Sequence, residues 1–206
     1  MKSTKLIWKT PKTAKAKEIC DAIYIASIKV FSENYETANT NKIAQIAGVN
    51  ISSLYRYFEN KEAVLAYTIM RYILESRDLN LEVISQDKLI YSNEPKEFIS
   101  QLFQVSIDRY RKDILFLKVM YIEGGRLGLT EEIFRIREGI AEDLARHMID
   151  KYNLNLDIQV AQKKILNLLN NFMGLIQGYA IFNQAVFDPN ELAPLIENVV
   201  SGLKLD

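Results

Sequence analysis

One cysteine, one histidine and one tryptophan stand in a chain of 206 residues. A lone cysteine excludes an internal disulfide, and one histidine with one cysteine cannot build a zinc site of the usual four-ligand type. Cys20 sits at helical spacing among apolar residues, which predicts a small buried side chain in a reducing cytoplasm. His147 lies four residues after Asp143 in a helical stretch, which predicts a surface pair. The sequence holds no nucleophile elbow, phosphate-binding glycine loop, dinucleotide fingerprint or clustered acidic motif, so neither an enzyme, a cofactor nor a metal is expected. No stretch approaches the about 20 apolar residues of a membrane span, and no apolar segment follows the basic start as in a secretory leader.

Net charge is also missing: 26 basic residues balance 26 acidic ones. The distribution is uneven. Residues 1–67 hold ten Lys/Arg against six Asp/Glu, and residues 68–206 hold sixteen against twenty. The first 17 residues carry six lysines and no acid. Such a start suits either an arm that meets a polyanion or a solvated tail.

Strand-type alternation is nearly absent, while apolar residues recur at three and four almost throughout. The pattern predicts an all-α chain of about nine helices. The first runs over about 15–33 and is ended by Asn34 in a left-handed conformation. The second spans 40–47 with Asn39 as its N-cap, and Gly48 supplies the left-handed residue after it. The third spans 51–57, and the fourth runs from Lys61 to about Ser85. Behind Pro95 come a helix to about Arg111 and another from Asp113 to Glu123, broken by Gly124, Gly125 and Gly128. Thr130 begins a helix to about Lys151. Asp157 begins a long one to Phe187, and Asp188-Pro189 caps a last one ending near Gly202. The division by function falls at 1–60, an arm with a reading domain, and 61–206, a larger helical domain.

Residues 39–62 decide the functional reading. Two short helices meet at a glycine turn, and the second carries small polar and aromatic residues on its free face. A recognition helix must enter a major groove about 12 Å wide with short side chains near its N-terminus. Asn50, Ile51, Ser52 and Ser53 supply these. Leu54 and Phe58, four apart, anchor the helix inward. Tyr55, Arg56 and Tyr57 extend polar tips toward phosphates, and the two tyrosines also suit packing between helices. Lys61 stands at the start of the fourth helix, where charge and free N–H groups favour a phosphate.

The pattern Ile43-Ala44-x-x-Ala47-Gly48-Val49-x-x-x-x-Leu54-Tyr55-x-Tyr57-Phe58-x-x-Lys61-Glu62 resembles the DNA-binding signature of the TetR family of bacterial transcriptional regulators. Phe31-x-x-Asn34-Tyr35-x-x-Ala38 is similar to the segment that precedes it in that family. The resemblance covers about fifty residues. It implies that Asn39 and Thr40 meet backbone phosphate, and that Ser52, Ser53, Tyr55, Tyr57 and Lys61 clamp the groove walls. Ile51 and Arg56 would then read bases. Asn34, Asn50 and Ser52 depart from the family's usual Gly, Ser or Thr, and Gly, and Ser52 bears on how closely the backbone docks.

The stretch from Ile165 to Phe187 is apolar on nearly every side, so both sides need cover. Gly174 and Gly178 permit close helix approach. With Ile181, Phe182, Leu192, Leu195, Ile196 and Val199 they resemble the family's homodimer interface. Two-fold symmetry then implies a near-palindromic operator with half-sites about 34–36 Å apart or a multiple. Phe103, Met120, Tyr121, Phe134, Phe172 and Ile176 form a candidate pocket for a small, largely apolar effector, and the same side chains serve a solid core equally well. The expected function is a ligand-responsive, cytoplasmic DNA-binding regulator, a repressor released from double-stranded DNA by its effector. The alternatives are a DNA binder of this fold without a small ligand, and a dimer that acts through protein contacts alone.

Overall fold

The computed structural model describes residues 8–85, 92–182 and 189–203. Among these there are nine α-helices: α1 Ala14–Glu33, α2 Thr40–Ala47, α3 Ile51–Tyr57, α4 Lys61–Ser85, α5 Pro95–Lys112, α6 Ile114–Arg126, α7 Thr130–Tyr152, α8 Ile158–Phe182 and α9 Pro189–Ser201. The helix order follows the apolar periodicity closely. The expected end of the eighth helix at Phe187 and the Asp188 cap lie outside the described residues.

Two expectations fail locally. Asn34 is extended, not left-handed (φ −167°, ψ 111°). Its side chain replaces what a left-handed backbone would do, because Oδ1 accepts from the N–H groups of Glu36 and Thr37 at 2.9 and 3.2 Å. Gly124 and Gly125 do not break a helix; both lie inside α6. The break comes at Gly128, whose φ of 72° is the left-handed conformation that suits glycine. A glycine pair weakens a helix only by propensity, about 1 kcal/mol each, and packing outweighs that.

The chain forms two compact units. The first comprises residues up to Ile73 together with Leu115–Thr130. Its core is Ile23, Phe31, Ile43, Leu54, Phe58, Leu65, Ile69 and Phe116, each at most 1% exposed. Tyr72 packs on Phe116 with ring centroids 5.4 Å apart, which ties α4 to α6. The second unit comprises Leu74–Ile114 and Glu131–Asp206. Here Phe103 of α5 stacks on Phe172 of α8 at 3.9 Å and 6°, beside buried Ile99, Ile107, Leu144, Met148, Ile165 and Ile176. The two units meet inside α4, and α6 lies in the first unit. Sequence order hides this, because along the chain α6 lies between helices of the second unit.

The His147 ring stacks on Phe98 at 5.1 Å, so an aromatic neighbour, rather than helix position alone, sets its place. Cys20 is 1% exposed. By length and composition alone, α8 is long and apolar enough to cross a membrane, a test that the core helix of a folded domain also passes.

Candidate nucleic-acid interface

The helix-turn-helix is built by its caps. Asn39 Oδ1 accepts from Lys42 N–H at 2.9 Å and starts α2. Gly48, at φ 65°, closes it. Asn50 Oδ1 accepts from Ser52 N–H at 2.8 Å and starts α3 only two residues later. Leu54 and Phe58 are buried at 0% and 1%, which fixes the rotation of α3 and turns Ser52, Tyr55 and Arg56 outward. Ile51, Ser53, Tyr57 and Lys61 are half-buried.

Hydroxyl protons can be counted. Ser52 Oγ donates to Asn50 Oδ1 at 2.7 Å, so that proton is engaged, and the free donor at this spot is the Asn50 NH2. Thr40 Oγ1 and Tyr55 Oη lie 2.9 Å apart. One proton lies between them, and the other remains to reach a phosphate. Lys42 Nζ meets Glu33 at 2.7 Å, and that hydrogen bond holds the exposed Glu33 carboxyl below its ordinary range. Lys61 Nζ lies 4.3 Å above the Tyr35 ring and donates to the Tyr35 carbonyl at 3.3 Å.

The N-terminal segment reaches this surface. Trp8 pairs with Phe58 in an antiparallel bridge, and Lys9 N–H donates to the Tyr57 carbonyl at 3.0 Å. Trp8 also packs edge-on against Tyr67 at 5.9 Å. The only tryptophan thus anchors the lysine-rich segment at the end of α3. Lys2 and Lys5 of that segment lie outside the described residues.

Residues 23–68 match the family model described as bacterial regulatory proteins, tetR family. The chain carries the TetR-family fold. A TetR-family transcriptional regulator from Mesorhizobium loti superimposes with a TM-score of 0.72 at 14% identity, covering 93% of this chain and 97% of that one. Two further TetR-like folds are similar. FadR from Bacillus subtilis in complex with stearoyl-CoA has a TM-score of 0.63 at 20% identity over 89% and 99% of the chains. Thermus thermophilus FadR, a TetR-family repressor in complex with lauroyl-CoA, has a TM-score of 0.63 at 17% identity over 89% and 92%. No curated protein matches the chain by sequence.

Within this TetR-family fold the candidate effector residues do not fall in one unit. Met120 and Tyr121 belong to the first unit, and Phe103, Phe134, Phe172 and Ile176 to the second. Phe103 and Phe172 are used on each other, Ile176 is buried at 0%, and Phe134 is 42% exposed on α7. The candidate dimer residues also divide. Leu192 and Ile196 point inward at 0% and 5% exposure, while Phe182 and Leu195 are open at 80% and 37%. Gly174 is exposed, and Gly178, Ile181 and Val199 are half-buried. Leu192 and Ile196 are therefore part of the chain's own core. The inward stripe of α9 gives no sequence signal that separates them from Leu195. A shallow hollow of about 240 Å³ between α1 and α2, lined by Ala22, Ile25, Ala26, Lys29, Ile46 and Ala47, contains none of the candidate effector residues.

Proposed function

We propose that this chain is a ligand-responsive, DNA-binding transcriptional regulator that acts as a homodimeric repressor in the cytoplasm. The observation that carries the reading is the outward face of α3, where Ser52, Tyr55 and Arg56 are exposed above a buried Leu54 anchor. Asn39, Thr40, Asn50, Ser53, Tyr57 and Lys61 flank that face and hold phosphates, while Ile51 and Arg56 read base edges.

Exposed Phe182 and Leu195 support a dimer, since large apolar side chains left open along neighbouring helices gain by pairing with a second copy. A two-fold dimer calls for an operator of near-palindromic sequence. The effector is small and largely apolar. Acyl-CoA thioesters are the first class to test, because two proteins of similar fold hold them. An effector acts only through its differential affinity for the DNA-bound and released forms.

Selection from a random duplex library followed by titration of stearoyl-CoA into the complex tests the reading. A near-palindromic consensus that is released by the ligand supports it. Failure to select any sequence would sink it. The tight Phe103–Phe172 stack favours a second reading, a DNA binder of this fold without a small ligand. Operator binding that no acyl-CoA changes would favour that one. A dimer acting through protein contacts alone predicts no selection at all.

A further inference from the structure

Lys9 and Lys12 have no part in the functional reading above, yet the chain ties them beside α3. Three contacts make the tie. Trp8 pairs with Phe58 in an antiparallel bridge, Lys9 N–H donates to the Tyr57 carbonyl at 3.0 Å, and the indole meets the Tyr67 ring edge-on at 5.9 Å. Tyr67 also packs on Phe58 at 5.1 Å, so one ring of α4 touches both members of the bridge. Phe58 is buried and Trp8 half-buried. A large aromatic side chain at this place gains by covering apolar surface.

The far end of the segment is fixed as well. Thr13 Oγ1 accepts from Ala16 N–H at 3.2 Å and starts α1, whose Ala16, Cys20 and Ile23 are buried. Residues 9–12 therefore form a short stretch held at both ends within the first unit. Lys9 and Lys12 are exposed on it, and Lys15 and Lys17 follow exposed in the first turn of α1. Among the described residues none of these four lysines enters an ion pair. A solvated tail of lysines needs no anchor. A stretch tied down on folding has already given up its backbone freedom, so its charges meet a polyanion without losing that entropy at binding.

We propose that residues 8–12 form a second DNA contact, in which Lys9 and Lys12 hold backbone phosphates beside the groove that α3 enters, and that Trp8 is the positioning residue that keeps them there. This inference rests on the reading of α3 as the recognition helix. Tyr57, whose carbonyl takes the Lys9 N–H, is itself among the proposed phosphate contacts. An ammonium meets phosphate as a point charge, and phosphate contacts carry no sequence information. The segment therefore adds affinity and salt dependence and leaves base preference to α3.

The test is the salt dependence of binding to a 30-base-pair duplex, measured by fluorescence anisotropy with the full-length chain. Each lost phosphate contact flattens the log–log slope by about 0.9. Lys9→Gln and Lys12→Gln together are expected to flatten it by about 1.8 per chain, while selection from a random library returns the wild-type consensus. Trp8→Ala is expected to flatten the slope too, and the lysine pair to add little more in that background. Trp8→Phe keeps a ring against Tyr67 and is expected to restore most of the slope. Circular dichroism melts of each variant establish that the folded form is being measured. Trp8 is the only tryptophan, so its emission checks the anchor in the unaltered chain, where acrylamide is expected to quench it several-fold less than in urea. A wild-type chain that selects no consensus would remove the reading of α3, and the proposal with it. Normal selection beside an unchanged slope in the lysine pair would overturn the proposal alone, and a changed consensus in that pair would overturn the assignment to phosphate. A full further loss from the lysine pair in the Trp8→Ala background would overturn the positioning role. Should Trp8→Ala not fold, native quenching equal to that in urea overturns that role instead.

Discussion

The hydroxyls of Thr40 and Tyr55 lie 2.9 Å apart, joining the first residue of α2 to the middle of the recognition helix. This bond links the two helices beside the buried Leu54. Thr40→Val and Tyr55→Phe are each expected to cost about 0.5–1.5 kcal/mol of stability, the range for one hydrogen bond. Together they should cost less than the sum, because either change removes the same bond. Urea unfolding of the two single variants and the double one checks this. DNA affinity should fall in all three.

Gly48 is the second constraint on that pair of helices. An added Cβ would meet nothing within 4 Å, so the whole penalty lies in the backbone, where φ is 65°. Gly48→Ala is expected to destabilise by about 1–2 kcal/mol, and Gly48→Asn by less, since asparagine tolerates this conformation. Thermal melts of the two variants distinguish strain from lost packing. Equal losses would contradict the assignment.

Alkaline pH should weaken the first unit. Folding raises the Cys20 thiol from 9.0 to about 11, through burial first and then the Asp21 charge. A group whose pKa rises on folding stabilises only while protonated. Its contribution is whole below pH 9 and is lost as the pH climbs through about 11. Tyr35 adds a similar loss between about 10 and 12. Stability measured from pH 8 to 11 should therefore decline, and Cys20→Ala should decline less. The same shift predicts that iodoacetamide at pH 8 leaves the native thiol unmodified and alkylates it in denaturant.

Among the described residues Phe182 is the most open of the large apolar side chains, at 80% exposure. The proposed dimer should run at twice the chain mass in sedimentation. Phe182→Glu should shift it toward the monomer and raise the concentration needed for operator binding. Leu192→Glu, placed in the core of the chain, should instead prevent folding. A wild-type monomer at micromolar concentration would rule out the two-fold arrangement.

Sequence periodicity foretold the helices because each buries a single stripe, and the caps at Asn39, Gly48 and Asn50 announce themselves by residue type. The same reasoning misplaced Asn34, since a side-chain turn and a left-handed backbone use the same residue. It overrated Gly124 and Gly125, because local propensity is smaller than the burial that α6 gains beside Tyr72. Arg56 and Tyr55 were legible on the reading face from the register set by Leu54. The pairing of Tyr72 with Phe116 was not, as 44 positions of chain separate them. The aromatic residues of the second unit show the same limit: composition names Phe103 and Phe172, but only coordinates show them stacked on each other.

The bridge between Trp8 and Phe58 has a practical side. It leaves any extension ahead of Met1 tethered a few residues from the end of the recognition helix. A purification tag fused there would crowd the surface offered to DNA, and a histidine-rich one would add charge to it below neutral pH. DNA-binding measurements on this chain should accordingly be made on protein tagged at the other end, or with the tag removed.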